Sequence, residues 1–296
     1  MNARPREYSG IRSFLFAPGN HARKVAKVFT VGADAVILDL EDAVAVDEKA
    51  ATRQAVRQAV ASAGGCLAYV RVNAPGSGFF GQDLASVVGP GLEGVVVPKV
   101  ESARTLQQVD AELARLEDAA GLPGGRIDLM PIIETAAGIE AAIEIAAAVP
   151  RVRRLAFGGG DYTLDLDYQW TADEEVLAYA RARLSHASRL ADIEPPIDTV
   201  VLQINDDERF RASAERGRKF GFAGKLCIHP GQVPLCNEVF TPSPEEIEHA
   251  RAVVAAFQQA EAEGSASIQV DGYFVDYPIV YKAQRILAIA RRWSDA

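Results

Sequence analysis

Residues 128–163, DLMPIIETAAGIEAAIEIAAAVPRVRRLAFGGGDYT, decide the fold. DLMPIIE is an apolar run that stops at a carboxylate, Glu134. TAAGIEAAIEIAAAV is alanine-rich and amphipathic, which predicts a helix over 135–149. RRLAFGGGD is a second apolar run that stops at another carboxylate, Asp161. In parallel α/β folds the strand ends that precede helices gather on one face, and that face holds the ligand. The pattern therefore predicts Glu134 and Asp161 side by side, at the ends of two consecutive strands. Two hard oxygen ligands suit Mg²⁺, which takes one or two protein carboxylates and fills its octahedron with water and substrate. Either acid alone reads as a helix cap, since acids are favoured at helix starts. The pair together, with three glycines baring backbone N–H groups beside Asp161, tips the reading towards a metal site.

The same alternation runs through the chain. RSFLFAPG, AVILDLEDAV, CLAYVRVN and GVVVPKVES are apolar runs, each followed by a helical pattern. After the opening stretch come a long predicted helix over 172–192, then DTVVLQI with its helix, then GKLCIHP. Near-continuous Val, Ile and Leu is the mark of strands buried on both faces. Eight such units within residues 1–240 match a (β/α)₈ TIM barrel in count and length. A doubly wound open sheet is the alternative. The only glycine cluster ends a late strand, so a dinucleotide fingerprint is absent. Residues 241–296 read as a C-terminal helical and extended appendage. TPSPEEIEHARAVVAAFQQAEAEG opens with a Pro-Ser-Pro helix start, SASIQVDGYFVDYPIV carries a DG turn signal, and YKAQRILAIARRW is a last helix. This segment is too small for a sizeable core of its own. It is expected to cap the barrel or a neighbouring subunit.

With 296 residues, 49% of them hydrophobic, the chain can bury the core of one large domain plus an appendage. A net charge of −9 argues against a nucleic-acid partner, which needs a basic face. Cys66, Cys227 and Cys236 are odd in number and lack CxxC spacing, as expected of buried thiols in a reducing cytosol. The start of the chain has no hydrophobic signal core, and no apolar run approaches the ~18 residues of a membrane span.

Chemistry is expected where the runs end. There stand Glu41 and Asp42, Arg71 and Asn73, Lys99 and Glu101, Glu134, Asp161, Asn205 and Asp206, and His229. Each can also be a surface charge or a cap, a reading that fits Asp206 and Glu101 best. Asp39, inside its run, is expected to face the barrel interior or a partner. Glu41 and Asp42 could hold metal-bound waters. Arg71 stays charged when buried and forks onto carboxylates, so it fits an anionic oxygen of a substrate. His229, before Pro230, reads as a structural histidine or a proton carrier.

RSFLFAPGN, DAVILDLEDAV, VRVN, VVVPKVES, IIETAAGI, FGGGDYTLDL and GKLCIHPGQV, taken in order, resemble the citrate lyase β-subunit-like family within the HpcH/HpaI aldolase superfamily. The resemblance implies a (β/α)₈ barrel with a divalent metal, Mg²⁺ or else Mn²⁺, on Glu134 and Asp161. It implies that Arg71 contacts the substrate oxygen and that the backbone at Gly159 and Gly160 holds the carboxylate of a 2-oxo acid. Family members commonly form trimers or dimers of trimers. VDYP at 275–278 resembles a segment that caps a neighbour's site, which makes Asp276 the expected general acid. The implied reaction is Mg²⁺-dependent cleavage or condensation of a 3-hydroxy-3-carboxyacyl-CoA of the citramalyl-CoA or malyl-CoA type. The products would be acetyl-CoA and glyoxylate, pyruvate or oxaloacetate. The alternatives are a citrate lyase β subunit acting on a carrier-bound citryl thioester, a malyl-CoA thioesterase or malate synthase-like enzyme, and a barrel that binds 2-oxo acid or CoA without turnover. Lys99 is expected to meet anionic substrate or to pair with Glu101. Arg12, Lys24 or Lys27 could contact the phosphates of CoA.

Overall fold

The computed structural model describes residues 10–264, 267–270 and 272–294. Asp271 of the expected DG turn lies outside the described residues. Residues 11–240 form one compact unit, and the chain from Thr241 onward belongs to a second.

The first unit is a closed barrel of eight parallel strands in sequence order. The strands are β1 (Ser13–Pro18), β2 (Ala35–Asp39), β3 (Leu67–Arg71), β4 (Leu92–Val97), β5 (Asp128–Ile133), β6 (Ala156–Phe157), β7 (Ile197–Asp198) and β8 (Gly224–Cys227). Pairing of β8 with β1 closes the ring. The helices between them are α1 (Ala22–Val28), α2 (Lys49–Ala61), α3 (Phe80–Val87), α4 (Ala103–Ala119), α5 (Ala136–Glu140), α6 (Ala142–Ala146), α7 (Gly159–Asp165), α8 (Ala178–Leu190), α9 (Asp207–Lys219) and α10 (Gln232–Phe240). The predicted TIM barrel is therefore the architecture. None of the helices is long and apolar enough to cross a membrane, among the described residues.

Strand periodicity sorts each apolar run into two cores. Val36, Leu38, Val70, Val95, Val97, Leu129 and Ile133 face the helices. Phe14, Ile37, Tyr69, Val96, Met130, Ile132, Ala156 and Leu226 fill the barrel interior. Towards the strands' N-terminal ends the interior also holds ions. Asp128 accepts from the Tyr69 hydroxyl at 2.8 Å and pairs with Arg154. Gly94 makes room for the Tyr69 ring, since a Cβ there would stand 2.3 Å from it.

Two expectations need correction. The helix over 135–149 is interrupted at Ala141, where ψ opens to 2°. The bonds from Ala141 N–H to Ala137 and from Ile145 N–H to Ala141 persist, so the interruption is a kink between α5 and α6. DTVVLQI was expected as a full strand, yet β7 stops at Asp198. The cause is its neighbour: β6 pairs with β7 only at Ala156 and Ile197, and the chain enters α7 at Gly159. Residues beyond Asp198 have no ladder to join on that side. Leu202 and Ile204 are 58% and 45% exposed as a result.

The second unit contains α11 (Pro244–Ala262), the antiparallel strands β9 (Ile268–Val270) and β10 (Tyr273–Val275), and α12 (Tyr277–Ser294). Ser243 and Glu246 form a full capping box at the start of α11, with Pro244 in its first turn. Gly272, with φ 83°, supplies the turn. Ala250, Val253, Phe257, Val275, Val280 and Ala283 make a small core.

Between the barrel and its helix layer, Asp198 is fully buried with Lys225 at 2.9 Å and the Arg181 fork at 3.0 Å, and Glu174 completes the group 2.7 Å from Arg181. Removing one partner from such a cluster strands buried charge. Asp198→Ala should therefore cost about 3–5 kcal/mol, read as a lower urea midpoint at unchanged slope. An unchanged midpoint would show that the cluster contributes nothing.

Candidate active site

The site grows from strand parity. Ile37, Tyr69 and Ile132 point into the barrel, so the residues two further on, Asp39, Arg71 and Glu134, share that face at its C-terminal end. The register pairs Asp39 directly with Arg71. The guanidinium forks onto Asp39, with Nε and Nη2 each donating at 2.7 Å. It also lies over the Phe16 ring, 5.0 Å from its centroid. Asp39 in turn accepts the backbone N–H groups of Glu41 and Ala43. Arg71 Nη1 remains, 3.0 Å from Glu41 Oε2. That oxygen is buried without a hydrogen bond, so charge alone holds it there. Burial pushes the Glu41 carboxyl above its usual range despite Arg71.

Lys99 joins this group to the expected metal ligands. Its backbone N–H donates to Glu134 Oε1 at 2.8 Å. Its ammonium lies 3.1 Å from Glu41 Oε1, 3.6 Å from Asp161 Oδ2 and 3.9 Å from Asp42. Asp161 is in the first turn of α7, so the GGGD run opens a helix directly. Gly158 shares the inward face with Ala156, and a Cβ on it would come 2.3 Å from Glu134 Oε2. Glycine is what lets that carboxylate lie against the backbone. Burial, and then the charge of Asp161, push the Glu134 carboxyl up to about 8.

These groups border a cleft of about 420 Å³. Asp39, Asp42, Arg71, Glu134, Gly160 and Asp161 line it. Lys24, one of the cations raised for a CoA tail, reaches it as well. Arg12 does not. It precedes β1 at the opposite end of the barrel and forks onto Asp34 at 2.8 and 2.9 Å. Asp34 precedes β2 there; Arg12 comes before its apolar run, at the end away from the one where the ligand face was expected. Gly159 is engaged, its N–H donating to Thr199 Oγ1 at 2.8 Å. Thr199 was missed because it reads as a strand interior, and its only signal is a hydroxyl after the buried Asp198. Asn73 is a structural group that donates to Leu40 O and Asp83. Asp206 caps α9 through the N–H of Arg209. His229 Nδ1 accepts the N–H of Gly231. Asp276 belongs to the second unit, where its carbonyl accepts the N–H groups of Ile279 and Val280 at the start of α12.

The donor set suits a hard cation. The charge of Asp161 adds to burial in raising the Glu134 carboxyl, and a divalent ion between them would relieve that conflict. No group of three or more His, Cys, Asp or Glu side chains could hold a metal among the described residues. A cation here would therefore rest on two carboxylates and fill its shell with water or ligand, the habit of Mg²⁺.

Residues 12–230 match the HpcH/HpaI aldolase/citrate lyase family. The chain belongs to that family. It is 41% identical to a citrate lyase subunit beta-like protein of Deinococcus radiodurans, over 97% of this chain and 99% of that one. It is 34% identical to the L-malyl-CoA/beta-methylmalyl-CoA lyase of Cereibacter sphaeroides, over 96% of this chain and 95% of that one. Among solved structures, protein CitE of Mycobacterium tuberculosis in complex with magnesium, acetoacetate and coenzyme A superposes with a TM-score of 0.76. The two are 30% identical, over 95% of this chain and 98% of that one. The HpcH/HpaI match spans every barrel strand described above.

The raised Glu134 carboxyl has a consequence for stability. Its folded pKa of about 8 lies above the ordinary 4.5. The group therefore favours the folded state while protonated, and that contribution fades as pH rises from the ordinary value through the folded one. A divalent cation bound there would replace the proton. Mg²⁺ should raise the melting temperature more at pH 8 than at pH 6, and Glu134→Gln should abolish the difference. Equal shifts at both pH values would contradict the assignment.

Proposed function

We propose that this protein is a Mg²⁺-dependent carbon–carbon lyase. It cleaves a 3-hydroxy-3-carboxyacyl-CoA of the citramalyl-CoA or malyl-CoA type to a 2-oxo acid and acetyl-CoA, or runs the reverse condensation. The observation that carries the reading is the Glu134–Asp161 pair at the barrel mouth, on the same cleft as the forked Arg71. The relatives named above support it.

Glu134 and Asp161 would hold the Mg²⁺, with Mn²⁺ as a substitute. When bound, the ion would lower the pKa of the substrate's hydroxyl and carry charge on the departing oxo acid. Arg71 binds the oxygen that becomes an oxyanion as the bond between the carbinol and α carbons breaks. Asp39 keeps the planar guanidinium aimed, so little reorganises during the reaction. Glu41 and Asp42 orient water and Lys99 at the rim. The carboxylate of the oxo acid lies against the backbone at Gly159 and Gly160, where Gly160 N–H is the one on the cleft and Thr199 holds Gly159. Lys24 meets the phosphates of the CoA tail. The hydroxyl proton passes to water in the cleft as the carbinol carbon becomes the carbonyl; cleavage leaves the electron pair on the α carbon of the thioester, as an enolate, and that carbon takes a proton. Asp276 of a second copy supplies it, which fits a trimer or dimer of trimers with the second unit as cap.

Relatives named as citrate lyase subunit beta favour one rival, a subunit of that kind acting on a carrier-bound citryl thioester. A thioesterase or synthase acting on malyl-CoA would use the same carboxylate pair. A barrel that binds oxo acid or CoA without turnover would not need it.

A panel of citramalyl-CoA, malyl-CoA and β-methylmalyl-CoA should show keto-acid release from one thioester with Mg²⁺ and none with EDTA. Silence on all three, with oxo acid still bound, would favour the carrier-dependent subunit or the binder. Asp276→Asn should still bind the thioester and lose at least ~100-fold in turnover; wild-type turnover would make the second unit structural only.

A further inference from the structure

Lys99 stands out by its backbone. Its φ of 54° lies in the left-handed region, which costs a residue with a side chain roughly 1–2 kcal/mol. Two sets of contacts account for it. The left-handed turn aims the N–H at Glu134 Oε1, 2.8 Å away, and sends the side chain back across the mouth to Glu41. One residue therefore touches both carboxylates of the proposed metal pair, Glu134 by its backbone and Asp161 by its ammonium. The two ammonium contacts differ in kind. At 3.1 Å, Glu41 Oε1 is hydrogen-bonded. At 3.6 Å, Asp161 Oδ2 is held only by charge. The side chain is 42% exposed, so it has room to move. Without it, no ammonium would stand beside Asp161 and Glu41 together, since Arg71 forks onto Asp39 and turns its remaining nitrogen to Glu41 and Asp42.

We propose that Lys99 is a resident counter-cation: its ammonium holds Asp161 beside Glu41 while the carboxylate pair is metal-free, and withdraws onto Glu41 and Asp42 when a divalent ion arrives. It is a positioning residue, and it sets how tightly the pair binds metal. The inference rests on the metal reading of Glu134 and Asp161. Its physics has one sign. A positive charge a few ångströms from an incoming dication opposes binding, and its removal also leaves the metal-free acids repelling one another.

The test is Mg²⁺ titration by calorimetry of the full chain, with melting of each metal-free form. Wild type, Lys99→Met and Lys99→Arg keep the same left-handed backbone demand. Lys99→Met should bind Mg²⁺ at least about fivefold tighter and melt lower when metal-free, with most of that loss recovered on loading. Lys99→Arg should stay within about twofold of wild type. A gain in affinity cannot come from damage, so poor folding does not imitate it. Lys99→Met binding as wild type or more weakly would overturn the proposal while leaving the metal pair intact. Absence of Mg²⁺ binding in wild type would overturn the metal reading, and this inference with it.

Discussion

A carboxylate taken out of water is costly unless a cation or several N–H donors meet it. The barrel mouth buries three of them, Asp39, Glu41 and Glu134, and adds Asp42 and Asp161 at its rim. Arg71 forks onto Asp39 and turns its remaining nitrogen to Glu41, and Lys99 is shared between Glu41 and Asp161. Glu134 is left with one backbone N–H on one of its oxygens. That deficit raises the Glu134 carboxyl above its usual range, and a positive charge from outside would relieve it.

The rest of the first unit makes this crowding possible. Closure of the barrel brings eight strand ends together, and parity two chooses which side chains face inward. Asp39 and Arg71 are strand partners, so their fork follows from register. Gly158 removes the one Cβ that would collide with Glu134. The short β6 releases the chain into α7, which carries Asp161 to the cleft. The same shortness frees residues 199–204 from the sheet and brings Thr199 and Leu202 to the cleft wall.

Much of this was legible beforehand. Apolar runs ending in polar residues located the barrel, its mouth and the Glu134–Asp161–Arg71 group, because burial and alternation leave their mark on composition. The misses share a cause. Arg12 stands before the first strand, and its pairing with Asp34 at the far end is a contact between residues distant in sequence. Lys225 and Arg154 look like strand or loop charges, yet they pair in buried clusters with partners distant in sequence. Lys99 was seen as a cation, but its left-handed backbone and its bond to Glu134 are products of tertiary packing. β7 failed as a strand for want of a neighbour, which local hydrophobicity cannot report.

Membership of the HpcH/HpaI family accords with the closed eight-stranded barrel. The central claim is that Glu134 and Asp161 together hold a divalent ion. The direct measurement is an anomalous-difference map from crystals soaked in Mn²⁺ with pyruvate. The account predicts one strong peak in the cleft, within bonding distance of both Glu134 and Asp161, lost in Glu134→Gln. A peak bound elsewhere, or none in well-ordered crystals, would contradict it.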